Sequence, residues 1–239
     1  MVRTGRDFVL VHGGFHGGWC YERVADILRV RGHCVFTPTL TGLGERSHLA
    51  HIGVSCRMHI QDVVNVIQWE RLNKTILCGH SYGGIVITGV ADLIPERVAS
   101  LVYLDAAIPE SGKSTLDLLS AEEQAGLLNL VINQGGQRML PPFSAAAFNV
   151  NSADRAMVDA LCTSHPFDTL CERVELTGAY RTIPKKVFVR ATNWEGTHPQ
   201  GSYERVRNDQ DWITVEVPCG HDVMLDAPAR LAEILLEAM

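Results

Sequence analysis

Several features are missing from this 239-residue sequence, and each absence removes a class of function. There is no run of lysines or arginines, and 21 basic against 27 acidic side chains give a formal net charge of −6. A mildly acidic chain offers no basic surface for nucleic acid or an anionic membrane, so neither is expected as a partner. No uninterrupted apolar stretch approaches the length of a membrane span. The composition does not point to any particular substrate.

Cysteine is present, but without the pattern of a disulfide framework. The seven residues include no C-x-x-C pair. They are Cys20, Cys34, Cys56, Cys78, Cys162, Cys171 and Cys219. An odd number at irregular spacing suits reduced thiols, and no secretion-type leader precedes the first predicted strand, so we expect a cytoplasmic protein. The sequence leaves open whether the chain is a monomer or a homodimer.

Strands and helices alternate in the first half of the chain and again near its end. The predicted strands are Phe8–His12, His33–Thr37, Thr75–Cys78, Val98–Leu104, Lys186–Arg190 and Trp212–Val217. The predicted helices between and after them are Trp19–Val30, His59–Leu72, Tyr82–Leu93 and Ala227–Met239. This alternation predicts an α/β fold with a mostly parallel sheet of about six strands.

The alternation stops between residues 106 and 184, where helical patterns occur without a convincing strand. The helical candidates are Ser114–Ile132, Ser152–Cys162 and Phe167–Leu176. We therefore predict a core formed by residues 1–105 and 185–239. Residues 106–184 are predicted to form a helical cap inserted over the edge of the sheet.

The pentapeptide Gly79-His80-Ser81-Tyr82-Gly83 is the most informative stretch. It follows an apolar strand and precedes a helix, the context in which G-x-S-x-G forms a nucleophile elbow. The turn is strained and admits only small residues two positions before and after the serine, a requirement met here by glycines. We expect Ser81 to be the nucleophile, because the helix N-terminus favours developing negative charge there.

A serine hydroxyl needs an imidazole to accept its proton, and His221 is the best candidate among ten histidines. It directly follows the last predicted strand, which places it at the same sheet edge as Ser81. Apart from His16, considered below, the remaining histidines are expected to be structural (His12, His33, His80) or solvated (His48, His51, His59, His165, His198).

Two acids could orient His221. Asp105 directly ends the strand after the elbow strand, whereas Glu195 lies several residues into the loop after the following strand. We favour Asp105 because a rigid strand would aim it at the sheet edge, and we keep Glu195 as the alternative. Asp222 and Asp226 are expected to be solvated or to cap a helix.

The oxyanion formed by attack on a carbonyl needs fixed N–H donors. The amide of Tyr82 is one candidate, and Gly14, in the loop after the first strand, is the other, with Phe15 as its alternative. His12 and His16 could suggest a metal pair, but no carboxylate or cysteine cluster accompanies them. Neither a metal nor a cofactor is expected.

These motifs together resemble the α/β-hydrolase superfamily, from the His12-Gly13-Gly14 loop through the elbow to the late His221. The chain is most similar to small bacterial esterases. It is similar, more distantly, to plant methylesterases and hydroxynitrile lyases, which share the H-G-x-x-H-G-x-W pattern of residues 12–19. Members of the superfamily place the acid after either strand, so the resemblance does not decide between Asp105 and Glu195.

The resemblance implies a serine hydrolase that cleaves an ester or related acyl bond of a small, largely apolar molecule through an acyl-enzyme. Hydrolysis of a lactone or a carbon–carbon bond by the same residues is an alternative, as is a non-catalytic small-ligand receptor. A cyanohydrin lyase is disfavoured, because those relatives carry threonine and lysine where this chain has Gly13 and Asp222. Phe15 and Trp194 are candidate substrate-binding residues.

Overall fold

A six-stranded parallel sheet forms the centre of the computed structural model, which describes residues 5–195 and 197–239. The strands, including three outside this sheet, are β1 (Asp7–Val11), β2 (Cys34–Phe36), β3 (Thr75–His80), β4 (Val98–Leu104), β5 (Ile132–Gln134), β6 (Gln137–Leu140), β7 (His165–Pro166), β8 (Lys185–Ala191) and β9 (Trp212–Val217). The strand order is β2-β1-β3-β4-β8-β9, and each neighbouring pair is parallel. The predicted fold class is confirmed.

Buried apolar side chains on both faces of the sheet explain why helices cover both of these faces. In β1, Val9 and Val11 belong to one buried apolar cluster, and Phe8 and Leu10 belong to a second. Successive strand side chains point to opposite faces, so each face needs its own cover. The helices are α1 (Glu22–Val30), α2 (Cys56–Trp69), α3 (Gly83–Leu93), α4 (Ala121–Leu130), α5 (Arg155–Leu161), α6 (Asp168–Cys171), α7 (Thr197–Val206), α8 (Val223–Asp226) and α9 (Pro228–Glu237).

The register of the sheet brings four chain segments together at one edge. Val11 pairs with Gly79, and Leu104 pairs with both His80 and Val189. The residues that follow β1, β3, β4 and β8 therefore emerge side by side at the carboxyl edge. Ligands of open parallel sheets bind at this edge.

The segment between β4 and β8 differs from the prediction of purely helical structure. It contains a three-stranded antiparallel sheet of β5, β6 and β7. The predicted helix Ser114–Ile132 is shortened to α4, whose capping box joins Ser120 and Glu123. Strands of two to four residues leave no period to detect, and the Gly135-Gly136 turn has positive φ at both residues, as tight hairpins require.

The helix α7, between β8 and β9, was not predicted at all. Its sequence is polar and has little helical periodicity, so the sequence does not indicate a helix here. The parallel strands β8 and β9 nevertheless need a crossover connection, and α7 provides it. Within the part of the chain that the structure describes, no helix has both the length and the apolar character needed to cross a membrane.

Candidate active site

Ser81 stands on a strained turn between β3 and α3. Its φ is 52°, in the left-handed region that few residues other than glycine adopt. A Cβ at Gly79 would lie 2.4 Å from the Gly83 carbonyl oxygen, and one at Gly83 would lie 2.8 Å from the carbonyl oxygens of Val11 and His12. The prediction that this turn requires small residues on both sides of the serine is therefore confirmed.

The His221 imidazole and the Asp105 carboxylate meet at the same sheet edge. His221 Nδ1 donates to Asp105 Oδ2 over 2.7 Å, and both side chains are buried. Asp105 directly follows β4, has a φ of 41°, and donates its own amide to the Val189 carbonyl. The contact engages Nδ1, so Nε2 is the His221 nitrogen left for another partner, and His221 and Ser81 line one cavity.

The structure brings Asp105, rather than Glu195, to His221. Glu195 lies in the loop after β8 and is exposed. The neighbouring Trp194 reaches the site instead, because its indole stacks on the His221 ring with centroids 3.9 Å apart. The alternative acid therefore has no contact with the imidazole within the described residues.

The loop after β1 brings backbone donors beside the serine. Within the described residues, the amides of Gly14 and Tyr82 make no backbone hydrogen bond, so both remain available to a ligand oxygen. Phe15 has a φ of 69°, and its carbonyl accepts from the Thr163 amide over 2.9 Å. Gly14, Phe15 and Tyr82 all line the cavity that Ser81 and His221 line.

Asp222 contradicts the expectation of a solvated or capping residue. It is fully buried, and its Oδ2 accepts from His16 Nε2 over 3.0 Å. Burial opposes both charges, but the mutual attraction outweighs it, raising the pKa of His16 and lowering that of Asp222. The partner of Asp222 lies 206 positions earlier in the chain, so no local pattern could reveal the pair.

Asp226 also differs from its expected role as the N-cap of α9. That helix has Ala227 at its N-cap without a side-chain hydrogen bond. The Asp226 carboxylate instead accepts from the backbone and side chain of Asn151 and from the amide of Gly220. It therefore fixes the loop immediately before His221.

Two histidines that were expected to be solvated are buried beside the site. His59 lies between the Thr41 carbonyl and the Tyr82 hydroxyl, and burial lowers its pKa to about 4. Burial also lowers the pKa of His165 well below its usual value. Both rings are therefore uncharged near neutral pH, and His165 lines the cavity that Ser81 and His221 line. The side chain of His198, also expected to be solvated, lies outside the described residues.

A cavity of about 380 Å³ opens over the elbow and is mainly apolar. Its apolar side chains include the predicted substrate-binding residues Phe15 and Trp194. The others are Leu116, Leu119, Leu127, Leu130, Leu140, Phe143, Phe148 and Leu170. Most of these belong to the segment between β4 and β8, so this segment forms the roof of the cavity.

No metal site accompanies these residues in the described ranges, 5–195 and 197–239. There, no three histidine, cysteine, aspartate or glutamate side chains lie close enough together to hold an ion. The arrangement supplies a hydroxyl, an imidazole–carboxylate pair and two free amides at the mouth of an apolar cavity. These are the parts needed for acyl transfer.

Residues 8–234 match the family described as the alpha/beta hydrolase family, and the chain belongs to this family. A carbendazim hydrolyzing esterase of Nocardioides sp. (strain SG-4G) is 40% identical over 237 residues, covering 96% of this chain and 98% of that protein. Methylesterase 4 of Arabidopsis thaliana is 31% identical over 147 residues, covering 56% of this chain and 53% of that protein.

A solved structure of similar fold is an extracellular α/β-hydrolase from a Paenibacillus species. It superposes with a TM-score of 0.80 at 25% identity and covers 98% of each chain. These comparisons confirm the resemblance to esterases related to the plant methylesterases. The chain is an α/β-hydrolase-type enzyme with esterase relatives.

Proposed function

We propose that the protein is a serine esterase for small, largely apolar molecules, acting through an acyl-enzyme on Ser81. The observation that carries this proposal is the 2.7 Å contact between His221 Nδ1 and Asp105 Oδ2, beside a serine held at a positive φ. Residues held in rarely adopted backbone conformations at the mouth of a cavity are typical of active sites.

In the first step, Ser81 Oγ attacks the substrate carbonyl carbon while His221 Nε2 takes the hydroxyl proton. The Asp105 carboxylate holds the Nδ1–H tautomer and stabilises the imidazolium that forms. The same imidazolium then protonates the leaving alcohol, and the acyl group stays on Ser81. In the second step His221 takes a proton from water, and the hydroxide attacks the acyl carbon. The bond from this carbon to Ser81 Oγ breaks, the imidazolium returns the proton to Ser81 Oγ, and the acid is released.

The negative charge that develops on the carbonyl oxygen needs donors already in position. The amides of Gly14 and Tyr82 have no backbone acceptor of their own, and Tyr82 immediately precedes α3. Fixed amides of this kind stabilise the transition state without reorganisation, and the loss of one typically costs about a hundredfold or more in kcat. Phe15 is the alternative donor.

The substrate class follows from the wall of the cavity. Leucine and phenylalanine side chains from residues 106–184 dominate the roof, which supports the proposal that this segment is the cap of the site. The buried neutral His165 adds no charge to this wall, and the charge of His16 is paired with Asp222. We therefore infer an ester with an apolar or aromatic group, and carbendazim is a candidate substrate by similarity to the Nocardioides esterase.

A cyanohydrin lyase is not supported. A Cβ at Gly13 would lie 2.8 Å from His80 Nδ1 and 2.9 Å from Ser81 Cβ, so the threonine of those relatives would not fit here without a shift. The residue after His221 is Asp222, an anion paired with His16. Asp222 does not line the cavity, so this position offers no cation to stabilise departing cyanide as the lysine of those relatives would.

The test is turnover of 4-nitrophenyl butyrate, carbendazim and a lactone by the wild type, Ser81→Ala and the surface control Ser152→Ala. We expect Ser81→Ala to lose at least a thousandfold in kcat and Ser152→Ala to remain at the wild-type value. Mass spectrometry after rapid quenching should find the acyl group on Ser81. Equal turnover by Ser81→Ala and the wild type would refute the proposal, and binding without any product would favour the receptor alternative.

A further inference from the structure

Behind Asp105 lies a buried arginine, Arg190, that neither the sequence motifs nor the fold class indicated. Arg190, near the end of β8, donates from Nη1 to Asp105 Oδ1 over 2.7 Å. It is 6% exposed, and Asp105 is fully buried. The Ala191 amide donates to the same oxygen over 3.1 Å. Because Asp105 Oδ1 accepts these two hydrogen bonds, Oδ2 is the carboxylate oxygen that remains to bind His221.

The other arm of the same guanidinium reaches the loop that covers His221. Arg190 Nη2 donates to the Trp194 carbonyl over 2.9 Å and to Gln200 Oε1 over 3.1 Å. The Trp194 indole, in turn, stacks on the His221 ring and donates from Nε1 to the Ala147 carbonyl of the cap. The Arg190 side chain thus contacts both Asp105, which binds the His221 imidazole, and the backbone of Trp194, whose indole packs on the face of that imidazole.

We propose that Arg190 is a positioning residue for the esterase reaction, acting through Asp105 and Trp194 on His221. This inference rests on the proposed function. A buried carboxylate without a counter-charge is costly, so Asp105 needs a cation if it is to stay ionised. Guanidinium suits the task because its planar fork presents donors in fixed directions. A lysine would keep the charge but could not hold both partners in the same geometry.

The experiment compares Arg190→Gln and Arg190→Lys with the wild type on 4-nitrophenyl butyrate, with rates expressed per active site titrated by an organophosphonate. We expect Arg190→Gln to lose about tenfold to a hundredfold in kcat with KM within about twofold, because the imidazole is misplaced while the cavity is intact. Arg190→Lys should recover part of this loss. In proton NMR spectra, the downfield Nδ1–H resonance of His221 should weaken in Arg190→Gln.

A matched control is Arg23→Gln, which removes an arginine with the same kinds of partner. Arg23 donates to the Asp154 carboxylate over 2.6 and 2.7 Å and to the Leu225 carbonyl over 3.3 Å. Arg23 does not line the cavity. The kcat of Arg23→Gln and the downfield resonance of His221 in this variant should therefore stay at the wild-type level. Thermal unfolding midpoints of all variants separate a loss of stability from a loss of positioning.

The outcomes separate this inference from the proposed function. Full activity in Ser81→Ala would refute the esterase mechanism itself. An inactive Ser81→Ala together with a folded Arg190→Gln of wild-type kcat and unchanged downfield resonance would overturn the role of Arg190 alone. A lower unfolding midpoint with unchanged kcat would also overturn it, since the arginine would then be merely structural. If Arg190→Gln does not fold, the same criteria apply to Arg190→Lys.

Discussion

At the scale of single residues, the backbone of Asp105 is as informative as its side chain. Its φ of 41° is a conformation that costs about 1–3 kcal/mol and persists only where neighbouring contacts enforce it. Here the Val189 carbonyl and His221 supply such contacts. Glu195, the alternative acid, is exposed and has no such constraint.

The two acids can be separated by isosteric substitution. Asp105→Asn should lower kcat about a thousandfold to ten-thousandfold, because the amide cannot hold the required tautomer or stabilise the imidazolium. Glu195→Gln serves as the matched control and should change kcat by less than about twofold. The measurement is steady-state hydrolysis of 4-nitrophenyl butyrate. A comparable loss in Glu195→Gln would transfer the role to the loop after β8.

The glycine that precedes the elbow allows a second prediction at this scale. In Gly79→Ala the new methyl would collide with the Gly83 carbonyl at 2.4 Å, a backbone atom that cannot rotate away. We expect the free energy of unfolding to fall by about 2 kcal/mol, measured by urea titration. Gly201→Ala, within α7, should be neutral or slightly stabilising, because the added carbon meets no atom within 4 Å apart from its chain neighbours and the backbone of its own helix. Equal effects would contradict the steric argument.

The residues of the site could be predicted from the sequence only where neighbouring residues in the chain form a recognisable pattern. Ser81 has one in its flanking glycines, and His221 has one in its place after the last strand. Asp222 and His165 have none, since their burial depends on partners brought from distant parts of the chain. Arg190 likewise appears in the sequence as one residue within an apolar strand.

At the scale of elements, the pair of His16 and Asp222 joins two loops that must stay in register. His16 is in the loop after β1, which also carries Gly14, and Asp222 follows His221 after β9. The His80 Nε2–H, one residue before Ser81, donates to the His221 carbonyl over 3.0 Å. The three loops that hold the nucleophile, the imidazole and the amides are therefore connected behind the site.

This pair predicts a dependence of stability on pH. The lowered pKa of Asp222 adds stability above the pKa of an unfolded aspartate, about 3.9, and the stability is lost as the pH falls. The raised pKa of His16 adds stability below the pKa of an unfolded histidine, about 6.5, and the stability is lost as the pH rises through the folded value. Both contributions are present together between about pH 4 and 6.5.

Asp222→Asn should therefore cost most in that window. We expect a loss of about 3 kcal/mol at pH 5.5, because a buried histidine loses its counter-charge, and a smaller loss at pH 8.5. Urea titrations at both pH values measure this difference. Glu204→Gln, which breaks the exposed pair with Arg207, should change stability by under about 0.5 kcal/mol at either pH. A loss for Asp222→Asn that grows with pH would contradict the assignment.

Strands were predicted correctly where their runs of apolar or alternating residues were long enough to detect. The bounds of β4 and β9 agree with the sequence prediction, since both are continuous apolar or alternating runs. The hairpin of β5 and β6 was missed because its strands have three and four residues and are mostly exposed. Such strands form through pairing with a neighbour, which a single segment of sequence does not reveal.

At the scale of the whole molecule, the cavity exists only where the sheet edge and the segment between β4 and β8 meet. The core supplies the polar atoms at its floor, while the segment between β4 and β8 supplies most of its apolar roof, including Leu127 and Leu130 of α4. Helix α4 buries none of its own residues, so its apolar side chains are free to face a ligand. Periodicity could not predict the cavity, because its shape depends on how this segment lies over the sheet.

An apolar roof predicts that catalytic efficiency grows with substrate chain length. Each methylene that leaves water contributes about 0.8 kcal/mol, so kcat/KM should rise about fourfold per methylene from 4-nitrophenyl acetate through butyrate until the cavity is filled. Leu127→Asp places a carboxylate in the roof and should flatten this series. Leu128→Asp is the matched control on the same helix, since Leu128 is 52% exposed and lies outside the cavity lining, and it should keep the wild-type slope. A flat wild-type series, or equal flattening by both substitutions, would show that the acyl chain binds elsewhere.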